Sequence, residues 1–169
     1  MFSSIIYPMK TAQLYPSMKI RILLALGTGL RRGDIECLKI DDIDFENNCI
    51  ATKSKKTGKC MSSRPVSEKI ITELLKYVHS LDVEQKKLFC TKFNYRQWRK
   101  ICKVAELADL KFHDLRRTFC SLLAQNGVST AVAQRLLEHS SPNLTNKIYT
   151  NVDPVLRQSV ERLPVSNWL

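Results

Sequence analysis

The sequence predicts a mainly α-helical fold with one small antiparallel β-sheet, an α+β class. Three observations predict it. Much of the chain falls into segments whose apolar side chains recur every three or four positions, the helical period. One stretch, CIATKSKKTGKCMSSRPV, reads instead as two short strands about a turn at Thr57-Gly58. No repeat, Gly/Ser linker or low-complexity tract divides the chain, and 169 residues suffice for one domain with a buried core.

The elements follow in order. YPSMKIRILLALGTGL predicts a helix with Ile20, Leu23 and Leu24 turned inward, ending around Gly27 to Gly29. RRGDIECLKI predicts a short second helix with Ile35 and Leu38 on its core side. In the hairpin, one strand covers about Asn48 to Lys53 and the return strand ends at Pro65. Ser67 is placed to cap a helix whose inner face is Ile70, Ile71, Leu74, Leu75 and Val78. Asn94 to Ala108 predicts a basic helix. FHDLRRTFCSLLAQNG predicts a strong helix with Phe112, Leu115, Phe119, Leu122 and Leu123 inward, closed by Asn126-Gly127. Ser129 caps TAVAQRLLEH, Pro142-Asn143 makes a turn, LTNKIYTN is a short helix, and Asp153-Pro154 opens a last one. The apolar stripe of that last segment (Leu156, Val160, Leu163, then Trp168) suits either its own core or a neighbouring protomer.

Charge narrows the function classes. The chain carries 27 Lys and Arg against 16 Asp and Glu, a formal charge of +11, which points to a polyanionic partner, nucleic acid before membrane surface. No apolar run is long enough to span a bilayer, and the basic-then-apolar order of a secretory signal is missing from the start. The six cysteines are scattered without the two-residue spacing of a zinc knuckle or redox motif, as expected of reduced thiols in a cytoplasmic protein.

Several segments offer candidate chemistry. Gly27, Gly29 and Gly33 are spaced one residue too long for a dinucleotide fingerprint and follow a helix rather than a strand, so a glycine cradle for phosphate is a poor reading. What remains is Arg31 at a helix-to-helix turn, with Asp34 one turn on: an anion fork steadied by an acid, or a surface pair of little consequence. His113 and Arg116 stand three apart on the edge of a helix's core face, with Arg117 further round toward solvent. His139 ends a helix, and Tyr149 follows on a short polar one, where it either packs its ring or serves as a nucleophile. Lys55, Lys56 and Lys59 stand on the hairpin tip.

Taken together, these segments resemble the catalytic domain of tyrosine recombinases, the phage integrase family. TGLRRGDI resembles that family's first-arginine box, HDLRRTF its His-x-x-Arg box, LLEHSSPNLTNKIYTNV its closing His-to-Tyr box, and SKKTGK…RPV the hairpin carrying its lysine. The resemblance implies a DNA breaking-rejoining fold over residues 17–153, with a lead or linker remnant at 1–16 and a C-terminal helix and tail at 154–169. It implies catalytic roles for Arg31, Lys56, His113, Arg116, His139 and Tyr149, with Lys55 and Lys59 competing for the lysine position. Asp34 stands where the family has a supporting glutamate, and Glu138 replaces the glycine before His139.

The implied reaction is cleavage of a DNA phosphodiester by Tyr149 through a 3′-phosphotyrosyl link, followed by religation, with neither metal, ATP nor other cofactor. Lys56 is the expected acid for the leaving oxygen and His113 the expected base. Arg32, Lys53, Lys55 and Arg117 are expected to meet phosphates of double-stranded DNA, and self-association on DNA, a tetrameric synapse in the full-length protein, is implied as well. Two rival readings share parts of this evidence. A type IB topoisomerase-like relaxase has the same chemistry, and a silent DNA-binding remnant has the same charge.

Overall fold

The fold is built around one helix that is buried on every side. In a computed structural model that describes residues 15–53, 60–107, 109–137 and 154–168, helix α1 (Pro16–Thr28) is buried at every position from Ile20 to Thr28. The expected inward residues Ile20, Leu23 and Leu24 are buried, and the rest of 20–28 is buried with them, because Arg21 is the one charge in an otherwise uncharged stretch. Helices α3 (Glu68–His79) and α5 (Asp114–Gln125) both pack on it. The approach of α3 is close: a Cβ on Gly27 would lie 2.1 Å from Ile70 Cδ1, so this glycine is also a contact inside the helix.

The other elements are a short α2 (Arg32–Ile35), strands β1 (Ile43–Asp44), β2 (Cys49–Lys53) and β3 (Cys60–Pro65), and helices α4 (Tyr95–Val104), α6 (Thr130–Leu137) and α7 (Pro154–Glu161). The strands form one antiparallel sheet in the order β1-β2-β3, with Ile50 opposite Arg64 in the β2–β3 register. This is the predicted α+β class. Ile35 and Leu38 are buried, as are all five residues of the expected α5 face. Among the described residues no helix is long and apolar enough to cross a membrane. The turn at Thr57-Gly58, the turn at Pro142-Asn143 and the short helix after it lie outside the described residues.

Three local expectations are corrected. Leu75 is 38% exposed, because the inner stripe of α3 runs through Ile70, Ile71 and Leu74 and leaves Leu75 on the flank. Ser67 occupies the N-cap position of α3, but its hydroxyl donates to Glu161 Oε2 (3.1 Å), while Glu161 Oε1 accepts from Glu68 N (3.1 Å). The cap of α3 is thus a carboxylate from the end of α7, well placed near a positive helix N-terminus. Helix α4 stops at Val104, short of Ala108, because Glu106 turns left-handed (φ 58°) and Leu107 N closes back on Cys102 O (2.8 Å). Residues 154–168 lie on their own chain, with Leu156, Val160, Leu163 and Trp168 buried and Arg157 donating to Asn47 O (2.7 Å).

One buried cation locks the first two helices together. Arg21, in mid-α1, is 1% exposed. Its Nε donates to Glu36 Oε1 (2.6 Å), NH1 to Ser17 O (3.1 Å) and NH2 to Thr91 O (2.6 Å), and its Cζ lies 3.9 Å from the centroid of the Phe89 ring. An arginine with its fork filled and its face stacked satisfies the conditions for burying a charge. Glu36 directly follows α2, so this pair fixes where α2 sits. Arg21→Met should therefore cost toward the lower end of the ~3–5 kcal/mol lost on breaking a buried pair, because Glu36 keeps 23% side-chain exposure to water. Urea unfolding should show a lower midpoint at unchanged slope.

Candidate active site

The turn between α1 and α2 is held by short-range bonds. Thr28 Oγ1 donates to Leu24 O (2.6 Å) and accepts from Leu30 N (3.2 Å). Gly29 is left-handed (φ 64°) and returns its N–H to Ala25 O (3.1 Å), the usual way a glycine ends a helix. A side chain at Gly29 is excluded twice, by its φ and by the Phe119 ring of α5, 2.5 Å from an added Cβ. Leu30 is buried, Arg31 is exposed, and Arg31 O opens α2 by accepting from Asp34 N (2.9 Å) and Ile35 N (3.0 Å). The Arg31 side chain thus leaves the core from a turn bonded on both sides.

Arg116 reaches this turn from α5. It is 7% exposed; NH1 donates to Gly29 O and NH2 to Leu137 O (2.8 Å). The Gly29 carbonyl belongs to the C-terminus of α1, where carbonyls lack intrahelical donors and carry partial negative charge, and Leu137 is the last described residue of α6. Arg64 on β3 repeats the pattern one residue earlier in each helix, with NH1 donating to Thr28 O (3.3 Å) and to Leu136 O. Burial, then the charges of Arg31 and Arg64, hold the Arg116 guanidinium below the usual arginine range, while the Asp34 carboxylate acts in the opposite sense. The charges of Arg31 and Arg64 thus both act against that of Arg116. The carboxylate expected to steady Arg31 also exerts its field on Arg116.

His113 stands at the N-cap position of α5 and is exposed. Its connection is fixed by Trp98 Nε1 donating to Leu110 O (3.2 Å) and Lys111 N donating to Asp114 Oδ2 (2.9 Å). His113 and Arg31 line one open cleft of about 700 Å³, together with Arg32, Tyr95, Arg99 and Lys111. Arg32 lies over the Tyr95 and Phe93 rings, 5.2 and 5.4 Å from their centroids, and donates to Tyr95 Oη. Phe112 packs edge-on against Phe93 (4.9 Å) and Trp98 (5.3 Å), giving the cleft an aromatic floor. A second cleft, about 500 Å³, is lined by Asp41, His79, Asp82 and Glu84 and holds none of the candidate residues. Among the described residues no group of three or more His, Cys, Asp or Glu could hold a metal ion.

The structure thus brings Arg31, Asp34, His113 and Arg116 to one place. Arg117 is exposed and paired with Asp114 (3.1 Å), and Lys53 ends β2. Lys55, Lys56, Lys59, His139 and Tyr149 lie outside the described residues. Sequence reasoning missed Arg64, Tyr95 and Lys111. Lys111 lies two positions before His113 and Tyr95 begins a helix already read as basic, so proximity could have flagged both. Nothing local marks Arg64.

This arrangement has relatives. The chain belongs to the phage integrase family, whose description matches residues 2–155. It is 32% identical over 168 residues to tyrosine recombinase XerA of Pyrococcus furiosus, covering 90% of this chain and 58% of that protein. The crystal structure of a XerA recombinase superposes with a TM-score of 0.71 at 25% identity, over 92% of this chain and 61% of that one. A XerH site-specific recombinase bound to its difH substrate shares the fold at a TM-score of 0.66 and 23% identity, over 95% of this chain and 47% of that one. The fold is therefore that of a tyrosine recombinase catalytic domain, and the chain spans about half the length of the relatives it matches.

The two arginines differ in burial, and their stability effects should differ accordingly. Arg116→Ala strands the Gly29 and Leu137 carbonyls, at about 1–3 kcal/mol for each buried group left unsatisfied. Arg31→Ala removes an exposed side chain and a repelling charge, and should leave stability within about 0.5 kcal/mol. Parallel urea unfolding of the two variants checks the contrast.

Proposed function

We propose that this chain is the strand-cleaving catalytic domain of a site-specific DNA recombinase. The observation that carries the reading is that Arg116 bonds Gly29 O, 87 positions away and two before Arg31, within the field of Arg31, which lines a basic cleft together with His113. Like charges held together in a partly dry corner suit an anion whose charge grows during reaction.

On this reading Tyr149 Oη attacks the scissile phosphorus and forms a 3′-phosphotyrosyl bond as the bond to the 5′-oxygen breaks. His113 takes the tyrosine proton, and Lys56 protonates the departing 5′-oxygen. Attack by a 5′-hydroxyl of another strand reverses the step and releases the tyrosine. The ester energy is conserved in the protein link, so no ATP is consumed. Arg31 and Arg116 hold the non-bridging oxygens, with His139 a further donor. Arg116 is suited to two tasks at once. A guanidinium has five N–H donors, and NH1 and NH2 each turn one toward a helix carbonyl, which leaves others for an anion. Cations here take the charge-neutralising part that a metal plays in other phosphoryl enzymes.

The partner on this reading is duplex DNA, met in the cytoplasm. Arg32, Arg99 and Lys111 along the cleft supply salt-dependent affinity, with Lys53, Lys55 and Arg117 beyond it. Copies of the full-length protein assemble on DNA as a tetrameric synapse.

The test is a labelled pool of nicked duplexes with randomised cores, on which cleavage traps the protein covalently. Wild type should form an adduct that survives denaturant, and Tyr149→Phe should form none. Arg31→Ala should form it about 10²–10³-fold more slowly, the usual cost of losing one transition-state donor. Tight duplex binding without any adduct would instead mark a silent DNA-binding remnant. An Arg31→Ala rate equal to wild type would remove that residue from the site.

A further inference from the structure

The second buried guanidinium at the site, Arg64, has no role in the reading above. It sits on β3 opposite Ile50, which is fully buried, so the register places it on the inward face of the hairpin. An apolar residue would fit such a position at no electrostatic cost. Arg64 is instead 5% exposed and near enough to Arg116 to disfavour that residue's charge. Burying one guanidinium beside another carries a cost on both counts, and among its partners are backbone carbonyls of two helices.

It joins three segments that bear candidate catalytic groups. NH1 donates to Thr28 O, at the end of α1 and three residues before Arg31, and to Leu136 O, in the last described turn of α6. Its own strand is the return arm of the hairpin whose tip carries Lys55, Lys56 and Lys59. Leu137 is the last described residue of α6, and Glu138 and His139 follow in the sequence. Arg116 ties Gly29 to Leu137. The Arg64 tie lies one residue earlier on both helices. Two ties in successive positions fix rotation as well as distance.

We infer that Arg64 is a positioning residue: its buried guanidinium, bonded to Thr28 O and Leu136 O, sets the orientation of the segment leading to His139 and Tyr149 relative to Arg31. For its catalytic consequence the inference rests on the strand-cleaving reading, and its geometric content stands apart from that reading.

Two measurements on the full chain test it, with Arg64→Met, Arg64→Lys and, as a destabilised control away from the site, Glu161→Gln. In amide hydrogen exchange, Arg64→Met should raise exchange in 130–137 about tenfold relative to α3, roughly one lost hydrogen bond to a charged group. Exchange that rises equally in both helices, or in neither, would overturn the inference. In the nicked-duplex assay, run where every variant is folded, Arg64→Met should slow adduct formation about 10²-fold, the scale of a small misplacement of reacting groups. Affinity for a fluorescent duplex and its salt dependence should be unchanged, because the role assigned to Arg64 runs through Thr28 O and Leu136 O and not through a phosphate. Arg64→Lys, which keeps a cation between the two carbonyls, should recover part of the rate. A rate loss no greater than that of Glu161→Gln at equal loss of stability would reduce Arg64 to scaffold. Should Arg64→Met not fold, Arg64→Lys carries both comparisons. If wild type itself forms no adduct, the strand-cleaving reading fails, and hydrogen exchange still decides the role of Arg64.

Discussion

Backbone carbonyls of two helices meet at one corner of this protein, and carbonyls cannot satisfy one another. The C-terminus of α1 and the last described turn of α6 bring the oxygens of Thr28, Gly29, Leu136 and Leu137 together, and the α1 end carries the negative pole of its helix. Left alone, these oxygens would hold apart α6 and the turn that bears Arg31. Arg64 and Arg116 remove the conflict by placing N–H donors between the two sets of oxygens. The glycine turn, the seating of Phe119 against Gly29 and the approach of α5 to α1 all depend on this corner staying closed.

The molecule solves a second buried-cation problem differently, and the contrast is informative. Arg21 is as deeply buried as any residue, yet it meets a full carboxylate, Glu36, and an aromatic face. Its charge is spent within the fold. Arg116 meets carbonyl dipoles, which satisfy donors without cancelling charge, and Arg64 NH1 shares that pattern. The Arg21 pair therefore acts as scaffold, whereas the carbonyls that Arg116 meets leave its charge in place near an open cleft. Both are buried arginines with bonded forks, and their difference lies in what remains for an incoming anion.

How much of this was legible in the sequence follows from the range of each interaction. Helix α5 was readable in its face and its end, because Phe112 to Leu123 follow one face and Asn126-Gly127 close it locally, while its start at Asp114 lies two residues inside the expected segment. Arg31, His113 and Arg116 were readable as a set, because their types and local spacing carry the motif. The end of α1 was readable between Gly27 and Gly29, but not the second reason for Gly27, which is Ile70 on another helix. Ser67 was placed correctly and given the wrong partner, because Glu161 lies 94 positions on. Leu75 looked like a core residue because it adjoins three that are; which flank of α3 meets α1 is decided by packing. Arg21 and Arg64 were invisible for one reason. A charge in an apolar segment reads as a surface residue until its distant acceptors are known.

The corner also explains why such a site should be preorganised rather than assembled by its ligand. The charges of Arg31 and Arg64 both disfavour that of Arg116 in the folded protein, and folding energy from α1, α5 and the sheet holds Arg116 in place. An anion arriving there reorganises little; it relieves a repulsion already present. The relief grows with the negative charge on the anion, so a phosphorus centre gathering charge as a fifth oxygen arrives gains more than a resting diester does. Differential stabilisation of that kind lowers a barrier without tightening ground-state binding in proportion. The electrostatic cost of burying Arg116 under the fields of Arg31 and Arg64 is thus the physical link between the corner of α1 and α6 and the chemistry proposed for the cleft beside it.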